Sequence, residues 1–304
     1  MKKNSGKLRN YLLAGIMTAV LLLPSLPLMT SCQTGFYYDH AAKYTAGNAS
    51  FSADTIDALD VDWFSGEVLV EFGDSSESEV SVSETANKKT DGDTSLHYWL
   101  DGKTLKIKFA ASGKLNLSGI EKTLKVTIPR QKTLLHLSIS GGAANVNVKN
   151  ARADKLTVSA VAGSIELSGM RVSNKASISS TSGNISGSAM TACDTLNISS
   201  TSGSISFSTE ARVRSLGVET TSGNIRLSNL NPAKKAEVET VSGNVELDFL
   251  DNSGFSVTYN TVSGKFSTDF KMYLSGDKYV YGTPNSDFSV KTAAGNLTIL
   301  SIPT

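Results

Sequence analysis

The chain has 304 residues, of which 39% are hydrophobic, 7% aromatic and 19% charged, with only six prolines. Its 29 basic and 28 acidic side chains nearly cancel, and four of the bases (Lys2, Lys3, Lys7 and Arg9) crowd into the N-terminus. A balanced body of this kind has no electrostatic footprint for nucleic acid, and three histidines and two cysteines are too few for a zinc framework or a disulfide scaffold.

Residues 2–10 are basic and polar, and residues 11–29 are apolar. These are the charged and apolar regions of a secretory leader. About 20 apolar residues can also span a bilayer, but Pro24 and Pro27 would each cost roughly 3 kcal/mol inside a helix. Next comes Met29-Thr30-Ser31-Cys32, which resembles a bacterial lipobox. The resemblance implies a lipoprotein signal peptide over residues 1–31 and a Cys32 thiol that carries diacylglycerol, with palmitate among the chains. A disulfide between Cys32 and Cys193 is the alternative. Two or three acyl chains hold a protein firmly, at about 0.8 kcal/mol per buried methylene. Residues 32–56 show no sustained period and are expected to be a tether.

Periodicity then sets the fold. Glycines stand at 142, 163, 183, 203, 223, 243 and 264, at spacings of 20 or 21, and Gly66 and Gly295 share their flanks. The core of the unit reads TSGNI, TSGSI, TSGNI and VSGNV in the copies at 183, 203, 223 and 243. Apolar residues recur seven and five before each glycine and two after it, with Ser, Thr, Asn, Glu or Lys between them. For Gly203 these are Leu196, Ile198 and Ile205. That alternation describes two half-buried strands bent at a Ser-Gly corner, where glycine permits positive φ or close backbone approach. The asparagines that follow, such as Asn184 and Asn224, can bond backbone groups locally. A unit of about 20 residues cannot bury enough apolar surface by itself, so neighbours must stack. The expected fold is all-β: a parallel β-helix or β-solenoid of about 20-residue coils, with a repeat-built sandwich as the alternative.

Between Gly66 and Gly142 the repeat is interrupted. Asp101-Gly102 between alternating strands predicts a hairpin, and residues 79–83 and 123–128 read as further strands. An N-terminal β subdomain, residues 57–134, is therefore expected to include the first coil and an antiparallel insertion. Residues 135–304 form the solenoid repeats, with a capping hairpin around 270–283. That hairpin carries Tyr273, Tyr279 and Tyr281 beside Lys271 and Lys278. Aromatic and basic groups together suit glycans, an anionic polymer or a membrane face.

Carboxylates were the remaining candidates for chemistry. Glu219 and Glu239 fall in one outward column of neighbouring coils, with Glu237 one position away. The cluster could hold a cation or supply an acid/base pair, although Lys234 and Lys235 lie close enough to neutralise it. The expectation is a solvated charged face, with no cofactor and no enzyme activity.

The leader, the TLKVTIP strand and the repeated TSGN corners together resemble a bacterial family of adhesin-like envelope proteins with β-strand repeats, over about residues 55–300. The resemblance brings no catalytic residues with it. The function expected is that of an exported, lipid-anchored binding module at the cell membrane or outer membrane, adhesin-like and non-catalytic. Its partners would be the membrane, through the anchor, and a glycan, wall polymer or envelope protein. An envelope-stress or regulatory component that binds a membrane partner or antimicrobial peptide is the alternative, and a polysaccharide-active enzyme fits less well.

Overall fold

The computed structural model describes residues 37–73, 78–114, 119–191, 193–209, 213–230, 233–250 and 254–302. The expected signal peptide, residues 1–31, and Cys32 lie outside them. Among the described residues, twenty-four strands form one continuous, mostly parallel array. The first seven are β1 (Thr45–Ala46), β2 (Ala49–Ser52), β3 (Ala58–Gly73), β4 (Glu79–Ala86), β5 (His97–Asp101), β6 (Thr104–Lys108) and β7 (Lys122–Pro129). The repeats begin with β8 (Leu134–Lys149), β9 (Arg152–Ala160), β10 (Ile165–Ser168), β11 (Arg171–Ser180), β12 (Ile185–Met190) and β13 (Thr195–Ser200). They continue through β14 (Ile205–Thr209), β15 (Ser215–Ser222), β16 (Ile225–Leu230), β17 (Lys235–Ser242) and β18 (Val245–Leu250). The chain closes with β19 (Phe255–Ser263), β20 (Phe266–Thr268), β21 (Tyr273–Ser275), β22 (Lys278–Tyr281), β23 (Asp287–Ala294) and β24 (Leu297–Ile302).

Each rung is a pair of strands joined at a corner, and successive rungs pair in register. Ile185 lies beside Ile165 and Ile205, and Ile205 beside Ile225. All four are about 1% exposed, so they form one dry internal column. Each such side chain contributes roughly 1.5–3 kcal/mol through burial. Where one rung lacks a side chain, its neighbour fills the space. Gly187 stands opposite Phe207, and a Cβ on Gly187 would collide with the Phe207 ring. The β-solenoid is the fold that the periodicity predicts.

Of the two reasons for glycine at the corners, close backbone approach is the one that holds at most of them. Only Gly66 among the repeat glycines has positive φ, at 92°. At 183, 203, 223 and 243 the constraint is close approach: a Cβ would strike the carbonyl oxygen of the corner glycine one rung back. The serine or threonine three residues earlier completes the bend from inside. Gly183 and Gly203 donate their N–H groups to Ser180 and Ser200 Oγ at 2.9 and 2.8 Å, and Thr220 Oγ1 donates to the Gly203 carbonyl at 3.2 Å. The asparagines bond across rungs rather than locally. Asn184 Oδ1 accepts from Ser204 N–H, and Asn224 Oδ1 from Asn244 N–H, each at 2.9 Å.

One register differs from the sequence count. Gly66 pairs with Ala144, not Gly142, and Gly163 abuts the Ala144 carbonyl. Leu137 and Ile139 therefore take the inward positions, and Leu135 is left 65% exposed. The break in spacing put the glycine of this rung two residues from its corner.

Both ends depart from sequence order. Strand β3 lies between β6–β7 on one side and β8 on the other, parallel to all three. The insertion thus supplies an outermost parallel rung, and only β1, β2, β4 and β5 pair antiparallel at its edge. At the other end β23 enters between β17 and β19, and β24 between β18 and β20. The last rung in sequence is therefore the penultimate one in space. The β21–β22 hairpin then pairs antiparallel on β19, covering an edge that would otherwise template aggregation.

The tether expectation fails over its described part. Residues 45–46 and 49–52 are strands paired to β5 and β4. Tyr38 is fastened as well: its N–H donates to Ser112 Oγ and its hydroxyl to the Ala110 carbonyl, both at 3.0 Å. A segment without internal period can still add strands to an edge, because its pairing partners lie elsewhere in the chain.

Candidate functional site

The first ladder turns its polar residues outward in columns set by register. On β8, β9, β11 and β13 these are Ser138 and Ser140, Thr157 and Ser159, Ser177 and Ser179, then Asn197 and Ser199. Parallel pairing repeats them every ~4.8 Å across strands and every ~6.8 Å along each strand. These eight positions carry no charge, but His136, Lys155 and Lys175 form the next outward column beside them. Glu219, Glu239 and Lys291 continue one of the grid's own columns on β15, β17 and β23.

Glu219 stands directly opposite Glu239, as the sequence column requires. Burial first, and Glu239 second, push the Glu219 carboxyl above the usual carboxylate range. Glu239 is ion-paired to Lys291 on the inserted rung. Glu237 pairs with Lys235 at 3.0 Å. Lysines from the same strand and from the inserted rung thus compensate two of the three carboxylates. Among the described residues no group of three His, Cys, Asp or Glu is arranged to hold a metal ion. On the second ladder Arg226 bridges Glu246 and the buried Asp248, both at 3.2 Å.

The three tyrosines do not form one patch. Tyr273 is 58% exposed. Tyr279 packs on Phe266 with ring centroids 4.4 Å apart, and Tyr281 packs on Phe270 at 4.7 Å and Phe255 at 5.7 Å. The Tyr281 ring extends the aromatic plug of Phe249, Phe255, Phe270 and Phe288 that closes the core. The hairpin caps the stack, leaving Tyr273 and Leu274 on the surface.

Two clusters at the opposite end had no signal in the sequence. Lys122 has a fully buried side chain. Its Nζ pairs with Glu84 at 2.8 Å, donates to the carbonyls of Thr94 and Phe109, and lies 4.2 Å from the Phe109 ring centroid. Burial pushes its pKa down, against the pull of Glu84. Nearby, Tyr44 and His40 meet Trp99 edge-on, and Lys43 and Lys106 sit 4.8 and 4.6 Å from the Trp99 ring. Burial, followed by the negative charge of Asp60, pushes the Tyr44 hydroxyl up to about 12. Each cluster joins separate stretches of chain, Lys122 to Glu84 across 38 residues and Lys43 to Trp99 across 56, so no local motif marks them. Cys193 is buried, its thiol directed at the Thr195 carbonyl at 2.9 Å and pushed up by that burial.

The stacked rungs and Ser-Gly corners define a parallel β-solenoid. Residues 50–300 match the Toastrack DUF4097 family, and the chain belongs to it. Solved structures similar to it include a presumed adhesin from Bacteroides fragilis, at 15% identity and a TM-score of 0.39, covering 84% of this chain and 96% of that one. A presumed lipid-binding protein from Parabacteroides distasonis has the same identity and coverages with a TM-score of 0.42. A presumed cell adhesion protein from Clostridium sporogenes is 11% identical with a TM-score of 0.29, covering 86% of this chain and all of that one. No curated protein matches the chain.

Proposed function

We propose that this protein is an exported, lipid-anchored β-solenoid that serves as a non-catalytic, adhesin-like binding module at the cell surface. The carrying observation is the outer face of β8, β9, β11 and β13, where in-register pairing sets seven hydroxyls and the Asn197 amide in a two-dimensional grid bordered by Lys155 and Lys175. Such a grid suits a ligand that is itself repetitive and rich in hydroxyls, such as a surface glycan or wall polymer. Each hydrogen bond contributes only about 0.5–1.5 kcal/mol net, so affinity must come from many equivalent contacts along a rigid face. The lipobox-like Met29-Thr30-Ser31-Cys32 supplies the address and the anchor.

The test is retention of the purified protein on insoluble wall polymer and on immobilised glycans. A Thr157→Ala, Ser177→Ala, Asn197→Ala triple variant should lose most of the retention while melting near the wild-type temperature. Retention unchanged by that variant would refute the assignment.

A further inference from the structure

Resting on the anchor proposed above, we infer that the solenoid is held with its β1–β7 end against the membrane and its β21–β22 hairpin pointing away. The argument is one of reach. From Cys32 to Tyr37 the chain has five peptide units, which span at most about 18 Å when fully extended. A 24-residue tether would have allowed roughly 80 Å and left the body free to turn over. The structure removes that freedom, because the chain is bolted to one end of the stack from Tyr38 onward.

The fastening is specific. Tyr38 exchanges hydrogen bonds with Ser112 in both directions, at 3.0 and 3.1 Å, and its hydroxyl reaches the Ala110 carbonyl. Tyr44 packs on both Tyr38 and Trp99. Residues 45–46 pair with β5, and residues 49–52 with β4. The anchored segment thus lies against the 110–114 loop and the antiparallel edge of the outermost rung. Tyr37, where the described chain begins, is 72% exposed at that end. Charges there are mixed, with Lys43, Lys88, Lys89 and Lys103 beside Asp39, Asp91, Asp93 and Asp101. The short covalent leash, rather than a basic surface, is what sets the orientation toward a lipid bilayer.

From the β6–β7 rung to the β19–β20 rung the stack climbs through β3, β8 and the repeats in register. Those nine steps of about 4.8 Å make roughly 43 Å. Tyr273 and Leu274 on the far hairpin are thereby presented away from the bilayer. The hydroxyl grid of β8 to β13 stands between the two ends, clear of the lipid headgroups.

The orientation is read by energy transfer to an acceptor-labelled lipid. The lipidated protein, carrying Cys193→Ala and a donor dye at either Asp93→Cys or Leu274→Cys, is reconstituted in phosphatidylethanolamine–phosphatidylglycerol vesicles. Both labelled positions are exposed. Transfer should be several-fold stronger from position 93 than from position 274. Equal or reversed transfer in protein that floats with the vesicles would overturn the orientation and leave the anchor standing. Protein that neither incorporates labelled palmitate in cells nor floats with vesicles would overturn the anchor and the orientation together.

Discussion

Lys291 is ion-paired with Glu239 across a rung boundary, although 52 residues separate them in the chain. The pair exists because β23 inserts between β17 and β19. The last turn of the chain is thereby clamped on both sides, and its lysine is delivered to a column that already holds two adjacent carboxylates.

Among the described residues no ion pair reaches Glu219, and its raised pKa carries a sign. Its carboxyl holds a proton more tightly in the folded chain than in the unfolded one. The stability tied to it is full at acid pH and is lost as pH rises through the folded value. Glu219→Gln should therefore stabilise the protein at pH 7, by less than ~1 kcal/mol given its partial exposure. The difference should close toward pH 4, where the native carboxyl is protonated. Parallel melting curves of the two proteins at pH 4 and 7 check this.

The corner glycines should be more sensitive than a hairpin glycine, for a steric reason. A methyl group at Gly223 meets the Gly203 carbonyl oxygen, so Gly223→Ala should cost on the order of 2–4 kcal/mol. Gly102 has φ of 59° and open space around it. There alanine should cost only ~1–2 kcal/mol, through the dihedral alone. Urea denaturation of the two variants separates the mechanisms, and equal losses would contradict them.

Phe207→Ala should cost roughly 3–5 kcal/mol by opening a cavity in the core. Gly187→Leu should be at least as damaging, since the new side chain would occupy the ring's place. The double variant Gly187→Leu, Phe207→Ala should recover much of the loss, because the two positions share one volume. A double-mutant cycle reads the coupling, and strict additivity would show that the rungs do not interdigitate there.

Lys122→Ala should destabilise by about 3–5 kcal/mol, because it strands the buried Glu84 carboxylate. Lys122→Met with Glu84→Gln should cost clearly less, since no buried charge is left over. Chemical unfolding of the single and double variants decides the point.

Deleting residues 283–304 removes the strands that sit between β17–β18 and β19–β20. The expected result is trypsin cleavage at Lys265 or Lys271 under conditions in which the full chain resists. Resistance equal to that of the full chain would mean that β19 can close directly on β17.

How much was legible from sequence follows from the range of each interaction. Ile185, Ile205 and Ile225 announced their column because an in-register stack repeats the same neighbour every 20 residues. Glu219 beside Glu239 was legible on the same ground. The inward register of β8 was misread, because Ala144 stands where its neighbours have glycine and Gly142 offered a decoy two residues away. The hairpin was legible as a cap, but not which of its tyrosines it would use: Tyr279 packs on Phe266 and Tyr281 on Phe255 and Phe270, partners set by strand pairing, while Tyr273 stays exposed.

The amino-acid order alone determined the unit of this protein: two alternating strands, a tight Ser-Gly bend and the need for identical neighbours. Those are local requirements of burial, backbone sterics and period, and each repeat states them again. Only the tertiary structure decided the order of rungs at the two ends, the docking of residues 37–52 and the partners of Lys122 and Lys291. Terminal rungs have one neighbour missing, and whichever segment best satisfies the open strand edge takes the place, however distant it is along the chain.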